Sequence, residues 1–527
     1  MKHIKNYHYI STFLLSLITF GCANIVPITG GPKDDKEPKL LKSIPNIGTV
    51  NFKGGTILFQ FDEEIEVDNN PSNIITSPLI DGKIKLKVKN KKYLEVNLSS
   101  NLNENTTYSI NINNAVKDIT EGNTYKNLSY AFSTGSKLDS MSISGKTIDA
   151  ENKTIEKNIL IGLYKKSDTI DITKQKPHYI TYSTSTGDFQ LNYIKSDDYY
   201  LLALEDKNKN LLYNSAEKAS SIENVSFKKN NTLMIELSTN DTTGNKIISR
   251  KMNKNIQTLS FRNGIKSYSY QTLSTSKNLY ITQTKNKANE LTAYAKLNSN
   301  DSLQYSITTQ DSLGNTKTDT ITINSANKKI KPEPGKLRNE TTDLLPGNNT
   351  IVFKSSKPIA SLNEDSILVN NEIKNSTFRL SKNHDSLSII ITNPITDTTN
   401  IKFNKASIIF YDNDSILPQS FTIAKAELSN YSTLEMTIKT NHKNYLIQLL
   451  TEDYTIIDEY KNITKLNYNY IKPGKYKIRA IVDENNNSYW DTENVLKHTK
   501  SEPIYYFGKD AINLKPNWEL KDLMFIF

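Results

Sequence analysis

Hydrophobic and polar residues alternate along most of the chain from Leu40 onward, and this period of two is typical of β-strands with one buried face. Residues 84–98 show the pattern most clearly, because apolar residues alternate with lysines, a polar turn follows at 90–92, and the alternation then resumes. A β-hairpin with its lysines in solvent is predicted there. Further short strands are predicted at 56–61, 107–112 and 128–133. The pattern predicts an all-β chain of β-sandwiches.

The chain is 527 residues long, which implies several domains rather than one compact core. Its first 22 residues have the parts of a secretory signal sequence. Lys2 and Lys5 are basic, residues 9–20 are mostly apolar, and Gly21 precedes Cys22, the one cysteine of the sequence. The apolar run is too short to span a membrane as a helix.

A cysteine at this place resembles the lipobox of bacterial lipoproteins. The resemblance implies that Cys22 is acylated, becomes the mature N-terminus and holds the protein to a membrane. The alternative is an ordinary signal peptide with a coincidental cysteine. Residues 22–39 are predicted to be a flexible tether, because Pro and Gly stand among alternating charges. We expect a lipid anchor in the cell outer membrane, and leave open whether the protein faces the surface or the periplasm.

Composition and charge narrow the possible functions. A single cysteine excludes an intramolecular disulfide and a thiolate metal cluster. The histidines lack the paired spacing of zinc sites. The net charge of +10 is a mild excess over a large surface, so we expect no nucleic-acid partner. The sequence contains no Gly-x-Ser-x-Gly motif and no phosphate-binding glycine loop, and we predict a protein that is not an enzyme.

A series of motifs runs from Glu37 to Gly135. They are EPKL at 37–40, SIPN at 43–46, ILFQFDE at 57–63, NTTY at 105–108, VKD at 116–118 and YAFSTG at 130–135. Together they resemble the bacterial Ig-like domain of the SbsA type. With the leader and tether, the chain resembles Ig-like-domain lipoproteins of Bacteroidota. The resemblance implies a spacer or binding scaffold and carries over no catalytic residue.

The next segment has its own motifs, ISGK at 143–146, LIGLY at 160–164 and STGDFQL at 185–191. These resemble the carboxypeptidase-regulatory, transthyretin-like β-sandwich, which is a non-catalytic fold. The end of this segment recurs without a gap near the C-terminus. Tyr193, Tyr199, Ala203 and Asp206 align with Tyr470, Tyr476, Ala480 and Asp483. Such self-similarity indicates duplicated modules. A fainter echo links residues 350–353 to residues 56–59.

These observations predict a division of the chain into seven segments. They are a lipoprotein signal peptide at 1–21, a tether at 22–39, an SbsA-type Ig-like domain at 40–136, a carboxypeptidase-regulatory-like β-sandwich at 138–240, a central β domain at 245–327, a degenerate Ig-like domain at 337–426 and a second transthyretin-like β-sandwich at 430–527.

Both copies of the repeat place oxygen-bearing side chains directly after a predicted strand. The first loop has Asp206, Asn208, Asn210, Asn214 and Glu217, and the second has Asp483, Asn485, Asn487, Asp491 and Asn494. These are positions one, three, five, nine and twelve, the order in which an EF-hand-type loop surrounds calcium. Position six is Leu211 or Ser488 instead of glycine.

Calcium is the candidate cation for these loops, and no cofactor is assigned with certainty. If calcium binds, the dissociation constants should be on the order of 10⁻⁴ to 10⁻³ M, and its role would be to stiffen the loops. The alternative is that the Asp and Asn side chains close β-turns by accepting backbone N–H groups.

The predicted function is a non-enzymatic scaffold or adhesin-like role, with an unidentified protein or glycan as ligand. The alternative is a glycan-binding accessory lipoprotein of a polysaccharide-uptake system, which Tyr and Trp side chains exposed on one face would favour. The candidate rings are Tyr179, Tyr182, Tyr193, Tyr199, Tyr200, Tyr213, Trp490 and Trp518, although core or cross-strand packing is the better interpretation of them. A hydrolase would require a carboxylate pair in a deep cleft.

Overall fold

The structure is a computed structural model of the chain. It describes residues 34–70, 73–80, 84–98, 102–112, 114–126, 128–166, 170–215, 217–225, 227, 232–239, 244–253, 255–273, 279–284, 287–298, 301–311, 314–325, 334–372, 376–391 and 397–527. The predicted signal peptide, Cys22 and most of the predicted tether therefore lie outside the described residues.

Short strands make up most of the described chain, which confirms the prediction of an all-β, multi-domain protein of β-sandwiches. Short 3-10 helices occur at Glu364–Ser366 and Leu428–Asn430. Within the described ranges, no helix has the length and apolar character needed to cross a membrane.

The chain separates into two compact units. The described residues of the first unit lie within Met1–Ile143, His178–Thr181 and Leu191–Asp197, and those of the second lie within Ser144–Pro177, Tyr182–Gln190 and Asp198–Phe527.

The first unit has an Ig-like arrangement of strands up to Ser133. They are β1 (Leu40–Ile44), β2 (Gly55–Phe61), β3 (Ile65–Val67), β4 (Ile74–Ser77), β5 (Lys85–Lys89), β6 (Tyr93–Leu98), β7 (Thr107–Ile112), β8 (Val116–Asp118), β9 (Thr124–Tyr125) and β10 (Leu128–Ser133). They form sheets in the orders β1-β2-β6-β5, β10-β7-β4 and β3-β8-β9. The hairpin predicted at 84–98 is the β5–β6 pair, which places Leu86 opposite Val96.

Alternation builds the core of this unit. Ile57, Phe59 and Phe61 are at most 1% exposed, whereas the residues between them are only half-buried. The ring of Phe59 meets that of Tyr130 edge to face, with 5.4 Å between ring centroids. Burying rings of this size supplies about 1.5–3 kcal/mol each relative to exposure.

A buried carboxylate closes one loop of the same unit. Asp118, which ends β8, is 1% exposed and accepts the N–H groups of Glu121, Gly122 and Asn123 at 2.6–2.9 Å. Burial raises the pKa of the Asp118 carboxyl, but these backbone hydrogen bonds outweigh burial and hold it below its ordinary value.

The second strand group starts with β11, whose first residues belong to the first unit. Its strands are β11 (Met141–Asp149), β12 (Leu160–Lys165), β13 (Tyr179–Tyr182), β14 (Asp188–Ile194), β15 (Tyr199–Leu204), β16 (Lys218–Ile222) and β17 (Thr232–Thr239). β15 lies between β12 and β16, and every residue of β15 is buried. β11 pairs in parallel with β17 from Ser144 to Asp149.

The central segment is a two-sheet sandwich. Its strands are β18 (Ile247–Asn253), β19 (Ile256–Phe261), β20 (Ile265–Thr272), β21 (Leu279–Gln283), β22 (Glu290–Ala295), β23 (Ser302–Asp311) and β24 (Thr316–Asn324). The sheets have the orders β18-β19-β22-β21 and β20-β23-β24. Phe261 and Tyr305 are fully buried in one hydrophobic core between them.

The next segment repeats the Ig-like arrangement. Its strands are β25 (Leu337–Asn339), β26 (Asp343–Leu344), β27 (Thr350–Ser355), β28 (Ile359–Leu362), β29 (Ile367–Val369), β30 (Ser376–Leu380), β31 (Ser386–Ile391), β32 (Thr398–Phe403), β33 (Ile408–Phe410) and β34 (Gln419–Lys425). The order β25-β27-β31-β30 matches β1-β2-β6-β5, and the run β34-β32-β29 matches β10-β7-β4. The faint sequence echo between 56–59 and 350–353 thus falls on strands in equivalent places.

The last segment repeats the arrangement of β11–β17. Its strands are β35 (Ser432–Lys439), β36 (Tyr445–Thr451), β37 (Ile456–Lys461), β38 (Lys465–Ile471), β39 (Gly474–Val482), β40 (Ile504–Tyr506), β41 (Ile512–Leu514) and β42 (Glu519–Ile526). β39 lies between β36 and β40 as β15 lies between β12 and β16. β35 pairs in parallel with β42, as β11 does with β17. The domain boundaries stay predictions, but two sheet arrangements each occur twice.

The turn of the β5–β6 hairpin generates a stability prediction. Asn90 and Lys91 have φ angles of 48° and 57°, a left-handed conformation that costs a side-chain-bearing residue more than glycine. Lys91→Gly is therefore expected to stabilise the hairpin by about 0.5–1 kcal/mol. Hydrogen exchange of the amides of β5 and β6 measures the change.

The matched control is Lys87→Gly, which places glycine in the middle of β5 and is expected to speed the same exchange. If Lys91→Gly and Lys87→Gly speed hydrogen exchange of these amides equally, the turn conformation described above is contradicted.

Candidate cation-binding loops

The two Asp/Asn loops leave equivalent strands of the duplicated arrangement. Asp206 follows β15 and Asp483 follows β39, and each of these strands is an interior strand of its sheet whose last five residues are buried. The registers agree as well, because Ala203 pairs with Ile161 and the aligned Ala480 pairs with Ile447. The gapless sequence repeat therefore corresponds to a repeat in space.

In the first loop, side-chain oxygens accept successive backbone N–H groups. The Asp206 carboxylate accepts the N–H of Asn210 at 3.1 Å and that of Leu211 at 2.9 Å. The Asn208 side chain also accepts the N–H of Asn210, at 3.1 Å, and the Asn210 side chain accepts that of Leu212, at 2.8 Å. These are the turn-closing hydrogen bonds that the alternative interpretation predicts.

The second loop repeats these hydrogen bonds position by position. The Asp483 carboxylate, which is fully buried, accepts the N–H of Asn487 at 2.8 Å and that of Ser488 at 3.0 Å. Asn485 and Asn487 accept the N–H groups of residues 487 and 489 at 3.1 and 2.7 Å. Asp491 joins them, because its Oδ2 accepts both amide side chains, at 2.5 Å from Asn485 and 2.9 Å from Asn487.

The carboxylate that closes each loop comes from just before the next strand. Glu217, which is 6% exposed, accepts the N–H of Lys207 at 3.2 Å and that of Asn214 at 3.0 Å. In the second loop Glu502, also 6% exposed, accepts the N–H groups of the equivalent positions, from Glu484 at 2.7 Å and from Asp491 at 3.0 Å.

Glu502, and not Asn494, is therefore the counterpart of Glu217. The strand registers support this equivalence. Ala203 pairs with Ser220, three residues after Glu217, and Ala480 pairs with Tyr505, three residues after Glu502. Counting twelve positions from Asp483 reached Asn494, whose side chain instead accepts the N–H groups of Leu496 and Lys497 at 3.1 Å. The prediction of Asn494 as the closing ligand was wrong because more residues separate Asp483 from Glu502 than separate Asp206 from Glu217.

The missing glycine at position six does not change the backbone. Leu211 and Ser488 have φ angles of 64° and 63°, and the residues at position four, Lys209 and Asn486, have 59° and 61°. Both loops thus adopt the left-handed conformation that glycine would favour, at a cost of order 1 kcal/mol for each such residue. The hydrogen bonds to Asp206 and Asp483 hold the chain there.

The oxygen set suits a hard cation only in part. In the described part of the chain, no group of three or more His, Cys, Asp or Glu side chains is placed to hold a metal ion. A cation at either loop would therefore need the Asn oxygens and backbone carbonyls beside the carboxylates, as calcium loops use them. The second loop offers more charge, from Asp483, Asp491 and Glu502, and Lys461 offsets part of it from 3.4 Å.

The carboxylates at the second loop repel one another. Burial raises the pKa of the Glu502 carboxyl, and the charges of Asp491 and Asp483 raise it further, so the pKa lies above its ordinary value despite two accepted N–H groups. Ionised Glu502 is thus disfavoured where it stands, and a bound cation would relieve the repulsion.

The aromatic side chains considered for sugar binding do not form one exposed face. Of those eight residues, which all lie within the described ranges, Tyr179, Tyr199, Tyr200 and Tyr213 are buried, and Trp518 alone is exposed. Trp490 packs against the cluster of Leu446, Ile481 and Ile504, and its Nε1 donates to the Glu502 carbonyl at 2.9 Å. The observation that would favour a glycan-binding accessory protein is absent from this set.

Comparison with known families identifies the first domain. Residues 34–134 match the bacterial Ig-like domain family. The match confirms the Ig-like part of the resemblance and covers less than half of the chain. The transthyretin-like part and the lipoprotein assignment stay predictions. No curated protein matches the sequence.

Solved structures with some similarity to the chain have low identity and low TM-scores. The S-layer protein SbsC is 12% identical over 91% of this chain and 68% of its own, with a TM-score of 0.15. The protein SGBP-B of a Bacteroides ovatus mixed-linkage glucan utilization locus is 9% identical over 72% and 94%, with a TM-score of 0.18. The Escherichia coli adhesin FdeC is 9% identical over 75% and 99%, with a TM-score of 0.15. No function is carried over from them.

The raised pKa of Glu502 predicts a pH dependence of stability. A carboxyl whose pKa is higher in the folded than in the unfolded protein contributes most below its unfolded pKa, and that contribution is lost as the pH rises through the folded value. Without added cations, wild-type protein should therefore lose more stability between about pH 4.5 and pH 7 than Glu502→Gln does. Urea unfolding followed by tryptophan fluorescence measures this, because both tryptophans, Trp490 and Trp518, lie in the last segment.

The control is Glu484→Gln, which alters an exposed carboxylate of the same loop and should keep the wild-type slope. The assignment fails if wild type and Glu502→Gln lose stability in parallel over this pH range.

Proposed function

We propose that the protein is a lipid-anchored, non-enzymatic scaffold of the bacterial cell envelope with an adhesin-like binding role, in which calcium stiffens two repeated loops. The observation that carries the proposal is the same loop built twice, each time closed by a buried carboxylate, Glu217 or Glu502. Repetition of one local geometry in two copies that have diverged in sequence favours a role for the loop itself.

Calcium is the cation that best suits these oxygens. The first loop presents amide oxygens and two carboxylates at the positions of an EF-hand-type loop, and the second presents amide oxygens and two carboxylates at such positions with Glu502 from further along the chain. Calcium accepts such mixed oxygen sets with flexible geometry. Every amide and carboxylate oxygen that accepts one N–H group keeps a further lone pair for a cation. Because each loop carries few formal charges, its affinity for calcium should be weak. Such an affinity suits compartments with millimolar calcium.

A scaffold role is supported by how the carboxylates are used. Asp206, Glu217, Asp483 and Glu502 each accept backbone N–H groups, so they are fixed as acceptors within their own loops. A hydrolase needs a carboxylate or nucleophile aimed at substrate. The proposed partners are therefore a membrane, which the lipid on Cys22 would enter, and a protein or glycan ligand, which the sandwiches would bind.

Calcium binding is the first prediction of this proposal. Terbium, which replaces calcium and emits when a nearby indole is excited, should luminesce on the full-length protein in detergent, because Trp490 donates its Nε1 to the carbonyl of Glu502. Calcium should displace terbium with an apparent dissociation constant on the order of 10⁻⁴ to 10⁻³ M. Glu502→Gln should abolish the tryptophan-sensitised signal.

Asn494→Ala is the matched control and should leave the signal unchanged, since Asn494 lies in a turn of its own. Absence of sensitised emission from wild type, or equal loss in Asn494→Ala and Glu502→Gln, would contradict the proposal.

Lipid anchoring is the second prediction, and it depends on a residue outside the described part of the chain. Cells grown with a labelled fatty acid should incorporate label into the wild-type protein and not into Cys22→Ala. Protease treatment of intact cells then separates the two locations, because a surface protein is degraded and a periplasmic one is protected. Label retained in Cys22→Ala would rule out the anchor.

A further inference from the structure

The second loop differs from the first in the length of the connection after its ninth position. Residues 215–216 separate Asn214 from Glu217, whereas residues 492–501 separate Asp491 from Glu502. The base of this longer connection is closed, because the N–H of Asp491 donates to the Glu502 side chain at 3.0 Å and the N–H of Glu502 donates to the Asp491 carbonyl at 2.9 Å. The residues between them, 492–501, form an inserted loop with hydrogen-bonded structure, here called the excursion.

The part of the excursion that directly follows Asp491 is bound by the segment that carries the first loop. Glu493 is 3% exposed, and its carboxylate accepts Ser220 Oγ at 2.7 Å and both the N–H and Oγ of Ser221 at 2.9 Å. The N–H of Glu493 donates to Ser238 Oγ at 3.0 Å. A carboxylate buried in this way is costly unless it is paired and fully hydrogen-bonded.

The charge of Glu493 is paired as well. Lys500 Nζ lies 2.7 Å from Glu493 Oε1 and also donates to the carbonyl of Ser221. At the edge of the same contact, His498 Nδ1 lies 2.6 Å from Glu223 Oε1. The side chains of Glu493, His498 and Lys500 thus contact β16 and the residue that follows it, and the backbone N–H of Glu493 contacts β17.

The other flank of the loop is held by the central segment. Lys266 Nζ donates to the Ser488 carbonyl at 3.1 Å and lies 3.9 Å from the ring centroid of Tyr489. The Tyr489 hydroxyl donates to Gln310 Oε1 at 2.7 Å. The backbone at position six of the second loop therefore contacts β20 of another sandwich, and the Tyr489 side chain contacts β23 of the same sandwich.

The first loop offers a natural comparison. Its residues at positions six and seven are Leu211 and Leu212, and the N–H of the next residue, Tyr213, donates to the Ile172 carbonyl of the same segment. Tyr489, whose hydroxyl reaches Gln310, has the aliphatic Leu212 as its counterpart, so this outward hydrogen bond occurs in one copy of the loop.

We propose that residues 488–500, here named the clasp, form an intrachain docking element that holds β16, β17 and the central sandwich of β18–β24 against the C-terminal repeat. The partner of this surface is the chain's own sandwiches, and the recognition is a buried, serine-lined carboxylate on one side and an ammonium–tyrosine contact on the other. The clasp fixes the arrangement of these segments whether or not the loop binds a cation.

The test is hydrogen–deuterium exchange of the full-length protein. Glu493→Ala is expected to speed exchange of the Ser221 amide and of residues 488–500 by roughly tenfold or more, because the amide loses its buried acceptor. Exchange in the first loop, residues 206–215, should not change. Glu484→Ala, an exposed glutamate of the same loop, is the matched control and should exchange as wild type.

A second variant keeps the test decisive if Glu493→Ala fails to fold, as judged by its far-UV circular dichroism. Tyr489→Phe removes one hydroxyl and should speed exchange at the amides of β23 near Gln310 and at the clasp, with residues 206–215 again unchanged. Folded Glu493→Ala or Tyr489→Phe protein with wild-type exchange at the clasp and at its contacts overturns the proposal. So does wild-type protein whose Ser221 amide exchanges as fast as that of an exposed loop.

Discussion

Carboxylates that accept backbone N–H groups close loops in both units of this protein, and the arrangement of its sites depends on that interaction. Short strands leave many N–H groups unpaired at their ends, and a buried N–H without an acceptor is costly. The Asp118 carboxylate accepts three such N–H groups in the first unit. The Asp206 and Asp483 carboxylates each accept two in the second unit. Because these bonds are made, non-glycine residues such as Leu211 and Ser488 are held at positive φ, and the loops keep a fixed shape.

The two copies of the loop share one hydrogen-bonded backbone arrangement, here called the frame, but they differ in what they contact. The first copy is closed over a two-residue connection by Glu217 and contacts its own segment. The second copy keeps the same frame through Glu502, and its longer connection, most of which belongs to the clasp, carries Glu493 into a serine-lined contact. The frame supplies the oxygen ligands proposed for calcium, and the longer connection together with Ser488 and Tyr489 supplies the contacts between sandwiches. The two roles are separable, because they use different side chains.

Much of the fold could be predicted from the sequence because its determinants are local. Period-two alternation located the β5–β6 hairpin and the strands β7 and β10, and a gapless repeat located both Asp/Asn loops. Glu502 was missed because it lies beyond the gapless repeat, where counting positions no longer matches the fold. Aligning β16 with β40 would have found it, since Glu217 and Glu502 stand just before those strands. The clasp could not be predicted, because Glu493 meets Ser220 across 273 residues of sequence and no local pattern marks either one.

A crystal structure of the protein grown with terbium, with anomalous difference maps, tests the central claim most directly. We expect one peak among Asp206, Asn208, Asn210 and Glu217 and a second among Asp483, Asn485, Asn487 and Glu502, with Glu493 still bound to Ser220 and Ser221. Density at neither loop, or a second peak held by Asn494 in place of Glu502, would contradict the claim.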